Sequence, residues 1–165
     1  MKCISCGARM KKKIGNYRYD ESGLKDVTLA GVPIYTCRCG EISPLIRNTD
    51  ELHRVIAYML TKKTAPLTGP EFRFLRKEMG MNAKEIAKLL GVSPITVSRW
   101  ETGNKNIGNS NDRLIRLIYI RHLEGLCSKF IDTDMKTVLY NITPEHSGKV
   151  TIPVDRLPDL LPCTV

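Results

Sequence analysis

The 165-residue chain predicts an α+β protein in three parts: a small N-terminal β unit stapled through cysteines (residues 1–63), an all-α unit of short helices (68–125), and a C-terminal β-hairpin-like extension (126–165). Three observations carry that reading. Two close cysteine pairs bracket an apolar stretch without helical period. A succession of N-cap residues follows, each opening a run of apolar residues at helical spacing. The tail is weakly acidic and has strand-like composition.

In the first part, residues 13–37 are rich in Tyr, Val, Ile and Leu, with turn signals at Ile14-Gly15-Asn16, Glu21-Ser22-Gly23 and Ala30-Gly31-Val32-Pro33. Short antiparallel strands are expected. Cys3 and Cys6 are spaced C-x-x-C, and Cys37 and Cys39 are spaced C-x-C. Four thiolates suit a closed, structural zinc site, and a unit of about 45 residues with few large apolar side chains needs such a staple. The second pair is one residue tighter than usual, which leaves His53 as a reserve ligand. Reduced structural thiols and a redox-sensing pair are the alternatives. Catalytic zinc is disfavoured, because four cysteines leave no open position for water. Asn48-Thr49-Asp50-Glu51 then opens an amphipathic helix to Lys62, with Leu52, Val55, Ile56, Met59 and Leu60 inward. Residues 63–68, with Pro66, mark the boundary to the second part.

Thr68-Gly69-Pro70-Glu71 opens a helix with Phe72, Leu75 and Met79 inward. Asn82-Ala83-Lys84-Glu85 opens a second, with Ile86, Ala87, Leu89 and Leu90, closed by Gly91 at the left-handed C-cap position. Ser93 caps a third, with Pro94 at its first position, where the missing N–H costs nothing. A longer helix runs over residues 111–123.

The pair of short helices joined at Gly91 reads as a helix-turn-helix over residues 82–101. Ala87 is small where the axes cross, and Ile86, Leu90, Val92, Val97 and Trp100 are apolar plugs. With Val97 and Trp100 inward, Ile95, Thr96 and Arg99 must face outward. An outward Arg can make two hydrogen bonds to guanine in a major groove, and Ile or Pro can pack on a thymine methyl. Arg99, Ile95, Thr96 and Pro94 are therefore the candidate base-reading residues. Ser93, Asn82 and Lys84, with the loop Asn104-Lys105-Asn106 beyond the second helix, are candidates for phosphate contact. A plain solvated position is the alternative for each polar residue.

Charge agrees with a polyanionic partner. Residues 1–68 carry 12 Lys/Arg against 6 Asp/Glu, residues 69–125 carry 10 against 6, and residues 126–165 carry 4 against 5. The N-terminus lacks the apolar core of a signal peptide, and no run approaches the roughly 18 apolar residues of a membrane span, so a cytoplasmic protein without membrane association is expected. In that reducing compartment the six cysteines read as metal ligands or plain thiols rather than a disulfide framework. No His/Asp partner pattern or phosphate loop accompanies them, and an enzyme is not expected.

The run from Phe74 to Gly103, including Ala-Lys-Glu-Ile-Ala-Lys-Leu-Leu-Gly-Val-Ser-Pro-Ile-Thr-Val-Ser-Arg-Trp-Glu, resembles the Xre/Cro-type helix-turn-helix of phage-repressor-like regulators. That resemblance implies a five-helix domain, a homodimer on a palindromic operator of double-stranded DNA, and an internal ion pair between Arg76 and Glu101. Pro94-Ile95 replaces the polar residue usual at the start of the recognition helix, so readout there must be apolar or indirect. Together with the four-cysteine N-terminus and the run from Val27 to Cys37, the chain is similar to the MqsA/YgiT-type antitoxin and regulator family over about residues 1–125. The similarity implies a repressor with a structural zinc domain that can bind a toxin protein. The tight C-x-C departs from the antitoxin pattern, and a stand-alone regulator with no toxin is the alternative.

Beyond residue 126, strands are expected over residues 136–142 and 149–154, joined as a hairpin. Cys127, Cys163, His122 and His146 match no common metal spacing and read as structural.

Overall fold

The computed structural model describes residues 1–127, 131 and 149–162. Strand β1 (Lys11–Arg18) and strand β2 (Val27–Thr36) form an antiparallel pair in which Lys11 faces Thr36 and Arg18 faces Thr28, with a register shift between Gly15 and Tyr17. Along β2, Val27, Leu29, Val32 and Ile34 are buried. The alternation slips at Gly31, whose φ of 76° an L side chain rarely adopts. The opposite edge of β2 is shared. Strand β3 (Ile42–Pro44) pairs antiparallel with Ile34 to Thr36, and strand β4 (Val150–Pro153) pairs parallel with Val27 to Ala30. Pro33, which has no N–H to donate, falls in the gap between them.

Five helices follow: α1 (Thr49–Lys62), α2 (Gly69–Glu78), α3 (Ala83–Leu90), α4 (Pro94–Glu101) and α5 (Asn109–Cys127). Among the described residues no helix is long and apolar enough to cross a membrane. The five-helix group expected over residues 68–125 has only α2 to α5 there, and α1 supplies the fifth. It packs on α2 and α5 as well as on β4 and the short helical turn Leu157–Leu160. Consequently α1 is buried more widely than its amphipathic stripe suggests, with Ala57, Tyr58 and Thr61 inside alongside Leu52, Val55, Ile56 and Leu60. Asn48 caps it from a left-handed conformation (φ 53°), and its amide donates to Glu51 instead of its oxygen accepting a main-chain N–H.

One apolar core runs from Leu29, Val32 and Ile152 of the sheet through α1 to Phe72, Leu75, Ile86, Val97, Trp100, Ile115 and Leu123. A second, small cluster consists of Cys3, Met10 and Cys37, flanked by Ala8 and Tyr35. The tail thus returns to the N-terminal sheet. Of the expected hairpin, residues 136–142 lie outside the described residues, and the second strand pairs with β2. Cys127 is disulfide-bonded, which corrects the expectation that it is a metal ligand or a plain reduced thiol. Cys163 and His146 lie outside the described residues.

The segment between α1 and α2 is held from within by α5. The Arg116 guanidinium, fully buried, donates to Asp112 Oδ1 at 2.6 Å, to the carbonyls of Thr61 (3.3 Å) and Ala65 (2.8 Å), and to that of Lys63. Asp112 Oδ2 in turn accepts the Leu67 N–H at 2.5 Å. Lys63 also reaches Glu71 of α2 at 2.7 Å. A buried charge pair is tolerable only when its remaining lone pairs and protons are satisfied, and here the linker backbone satisfies them. Removing one partner strands the other. Arg116→Ala should lower the unfolding free energy by about 3–5 kcal/mol, measured by urea denaturation; a loss under about 1 kcal/mol would show the pair to be dispensable.

Candidate nucleic-acid interface and metal centre

Helix α3 starts at a full capping box. Asn82 Oδ1 accepts from the N–H groups of Lys84 (2.9 Å) and Glu85 (3.1 Å), and Glu85 Oε2 accepts from Asn82 N–H at 2.6 Å. It ends at Gly91, with φ 66° and the Val92 N–H bonded back to Ala87 O at 3.0 Å. The N-cap of helix α4 comes two residues later, with Ser93 Oγ accepting the Thr96 N–H at 3.1 Å and Pro94 in the first turn of the helix. Between the helices Ile86, Ala87 and Val97 are essentially inaccessible, and Trp100 stacks edge-on against Phe72 of α2, centroids 5.5 Å apart.

Two further contacts set the angle of α4. Arg76 of α2 donates through Nε and Nη2 to both carboxylate oxygens of Glu101, at 2.6 and 3.0 Å, and through Nη1 to Met81 O at 2.7 Å. This is the ion pair that the Xre/Cro resemblance implied. The second contact was not foreseen. A Cβ on Gly69 would lie 2.2 Å from Trp100 O and 2.9 Å from Glu101 O, both main-chain atoms, so the start of α2 touches the end of α4 backbone to backbone. The available signal was a glycine at the first turn of a helix, a position that seldom favours one.

With the inner face held, the outer face follows. Ile95 is 65% exposed, Pro94 and Arg99 are exposed, and Thr96 is half-buried with its hydroxyl 3.0 Å from Ser93 Oγ. Lys84, Lys105 and Asn106 are exposed, and the Lys105 N–H bonds to Arg99 O at 3.1 Å, folding the loop against the end of α4. Arg99, Lys84, Lys105 and Asn106 have no side-chain partner among the described residues. The oxygens of Asn82 and Ser93 are instead committed to capping. The arrangement presents an Arg and an Ile one turn apart on a supported helix, flanked by cations.

The four cysteines converge at the other end of the molecule's chain order. The first pair sits on a turn in which Gly7 N–H donates to Cys3 O and Cys3 N–H to Ala8 O, each at 2.9 Å; the second on a turn in which Gly40 N–H donates to Cys37 O at 3.1 Å. Cys3 Sγ lies 3.6 Å from Cys39 Sγ and Cys6 Sγ 3.4 Å from Cys37 Sγ, and all four sulfurs fall within 4.8 Å of one another. A tetrahedron with metal–sulfur bonds of about 2.3 Å has edges near 3.8 Å, so the cluster could hold a metal ion of zinc's size. The C-x-C spacing does not exclude Cys37 or Cys39. His53 belongs elsewhere, its Nε2 3.0 Å from Tyr19 Oη and its Nδ1 3.3 Å from Glu78, and is not among the converging ligands. Burial pushes the Cys3 thiol up, but the N–H groups of Cys6 and Ser5 outweigh this and bring it down to about 7. At Cys6 the Ala8 N–H acts to lower the thiol, yet neighbouring Cys37 and Cys39 push it up to about 12. Four adjacent thiols cannot all ionise unaided, and a divalent cation is what removes that obstacle.

Residues 72–111 match the helix-turn-helix family. That span begins in α2, contains α3 and α4 and ends in the first turn of α5, so the family match and the geometry describe the same unit. A helix-turn-helix there supports a DNA-binding regulator, and the cysteine cluster is compatible with a metal. No curated protein and no solved structure matches the chain. Because Gly69 faces main-chain atoms, Gly69→Ala should force α2 and α4 apart and lower stability by about 1–3 kcal/mol or more, read from the thermal midpoint; an unchanged midpoint would mean that the contact relaxes without cost.

Proposed function

We propose that this chain is a sequence-specific DNA-binding transcriptional regulator: a homodimeric, cytoplasmic repressor of the MqsA/YgiT antitoxin type, with a structural zinc at Cys3, Cys6, Cys37 and Cys39. The observation that carries the reading is the rigid mounting of α4. Its inner face is buried by Val97 and Trp100 and its end is clamped by Arg76, while Ile95 and Arg99 stand free. Entering a major groove, Arg99 would contact guanine O6 and N7, and Ile95 and Pro94 would pack on thymine methyls. Lys84, Lys105 and Asn106 would neutralise or bond flanking phosphates, with Thr96 at the groove edge. Two copies related by a two-fold axis would read a palindromic operator. Zinc would supply no reaction here: four thiolates fill its coordination sphere and staple the cysteine turns, and no catalytic role is assigned to the chain.

A toxin bound at the N-terminal domain belongs to the antitoxin form of the proposal. The plain regulator lacks it. Co-purification of a small ribonuclease with the natively expressed chain would select the first form, and its absence, with operator binding intact, the second.

The deciding experiment is a footprint over the DNA upstream of the chain's own gene. Arg99→Ala should cost about 1–3 kcal/mol at one symmetric pair of operator positions and leave non-specific binding nearly unchanged. An unaltered footprint and affinity would remove Arg99 from the reading head. Chelation should release one metal ion per chain and loosen the cysteine turns, while the helical circular dichroism of α2 to α5 stays, because Cys3, Met10 and Cys37 form a cluster apart from the main core. Collapse of the helical signal with metal loss would contradict that separation.

A further inference from the structure

The first 19 residues hold six Lys/Arg and no Asp or Glu. The fold brings part of this charge together with Arg38 on one surface. Arg9 and Lys11 line an open groove of about 580 Å³ with Ala8, Thr36, Cys37 and Arg38, and no carboxylate lies in that lining. Lys11 and Lys13 are alternate residues of β1 and share a face of it, and Arg9, two residues earlier in an isolated bridge with Lys2, lines the groove beside Lys11. Arg38 joins them from the turn between Cys37 and Cys39. All four are exposed. Among the described residues neither these four nor Lys2 and Lys12 make an ion pair.

Two ordinary uses for these charges fall short. A divalent metal on four thiolates leaves two negative charges, and the three cations that line the groove with Cys37 (Arg9, Lys11 and Arg38) already exceed that need. The carboxylate of Glu41, just after the second cysteine turn, is bonded to Ser5 Oγ at 2.9 Å. A protein-binding surface would carry an apolar centre and few lysines. This groove has three cationic side chains in its lining, Arg9, Lys11 and Arg38, and no large apolar one at its centre.

We propose that the face formed by Arg9, Lys11, Lys13 and Arg38 is a second nucleic-acid contact, binding the phosphate backbone of duplex DNA without reading its sequence. The inference rests on the reading that the chain binds DNA, and it adds a site outside the helix-turn-helix. It assigns work to basic residues that α4 leaves unused. Cations on a carboxylate-free strand face gain chiefly from releasing counterions of a dense polyanion, so the contribution must appear as salt dependence.

The test compares full-length wild type, Arg9→Gln/Lys11→Gln/Lys13→Gln, and Arg99→Ala/Lys105→Gln, by fluorescence anisotropy on a random-sequence duplex several helical turns long, over a series of salt concentrations. Metal content and helical circular dichroism confirm that each variant is folded. Should the triple variant lose metal, Lys11→Gln/Lys13→Gln, both on β1 and not on the turns that carry the cysteines, replaces it. The expected result is a fall of about 2 to 3 in the slope of log K against log salt for the triple variant, about 0.9 per lost phosphate contact. An unchanged slope in that variant, with weakened binding in Arg99→Ala/Lys105→Gln, would overturn this inference and leave the helix-turn-helix reading standing. No duplex binding by the wild type would overturn both. A triple variant that keeps its DNA slope but no longer binds poly-glutamate would assign the face to an acidic protein instead, and would also overturn it.

Discussion

The Arg116 guanidinium is the point on which the architecture turns. A cation with no solvent contact is costly to bury, and it persists only because Asp112 and three main-chain carbonyls, that of Thr61 in the last turn of α1 and those of Lys63 and Ala65 in the linker, converge on it. The cost is offset by geometry. The linker that might have allowed two loosely tethered units becomes part of the interior of α5, and α1 is locked beside α2. The helices that carry the reading surface therefore cannot move independently of the chain that precedes them.

Other contacts extend the same coupling. The parallel pairing of β4 with β2 brings the C-terminal segment back to the N-terminal sheet, and Ile152, Leu157 and Leu161 bury against the common core. His53 on α1 bridges Tyr19 beside the sheet to Glu78 at the end of α2, with the Phe74 ring edge-on at 5.5 Å. Sheet and helix-turn-helix are thus joined by strand pairing, by apolar packing and by a polar bridge. The cysteine turns stand apart, supported by their own small cluster. A metal held there would stiffen one end of the sheet without being needed to bury the main core.

This division suits a regulator that must present α4 rigidly. Capping at Asn82 and Ser93, the Arg76–Glu101 pair and the Gly69 backbone contact each remove a degree of freedom from α4. Arg99 and Ile95 are held on a scaffold instead of a loop. The basic strand face is carried on the same body, through the sheet.

Much of this was legible residue by residue. Local signals determined the helix starts at Thr68, Asn82 and Ser93, the turn at Gly91, the inward Val97 and Trp100 and the outward Ile95 and Arg99, because caps, glycine conformation and helical period act within a few residues. The cysteine pairs were equally readable. What the sequence could not decide depended on partners far along the chain. Asp112 and Arg116 look like an ordinary surface pair four residues apart until the linker carbonyls close around them. Gly69 looks permissive until the α4 backbone lies against it. His53 resembled a spare ligand, and residues 149–154 one arm of a local hairpin, because period and composition predict a strand but not which edge it will join. The sequence by itself determined the elements and the chemistry they carry. Only the tertiary structure decided that α1 and β4 close them into one core, since burial and strand pairing are properties of what meets in space.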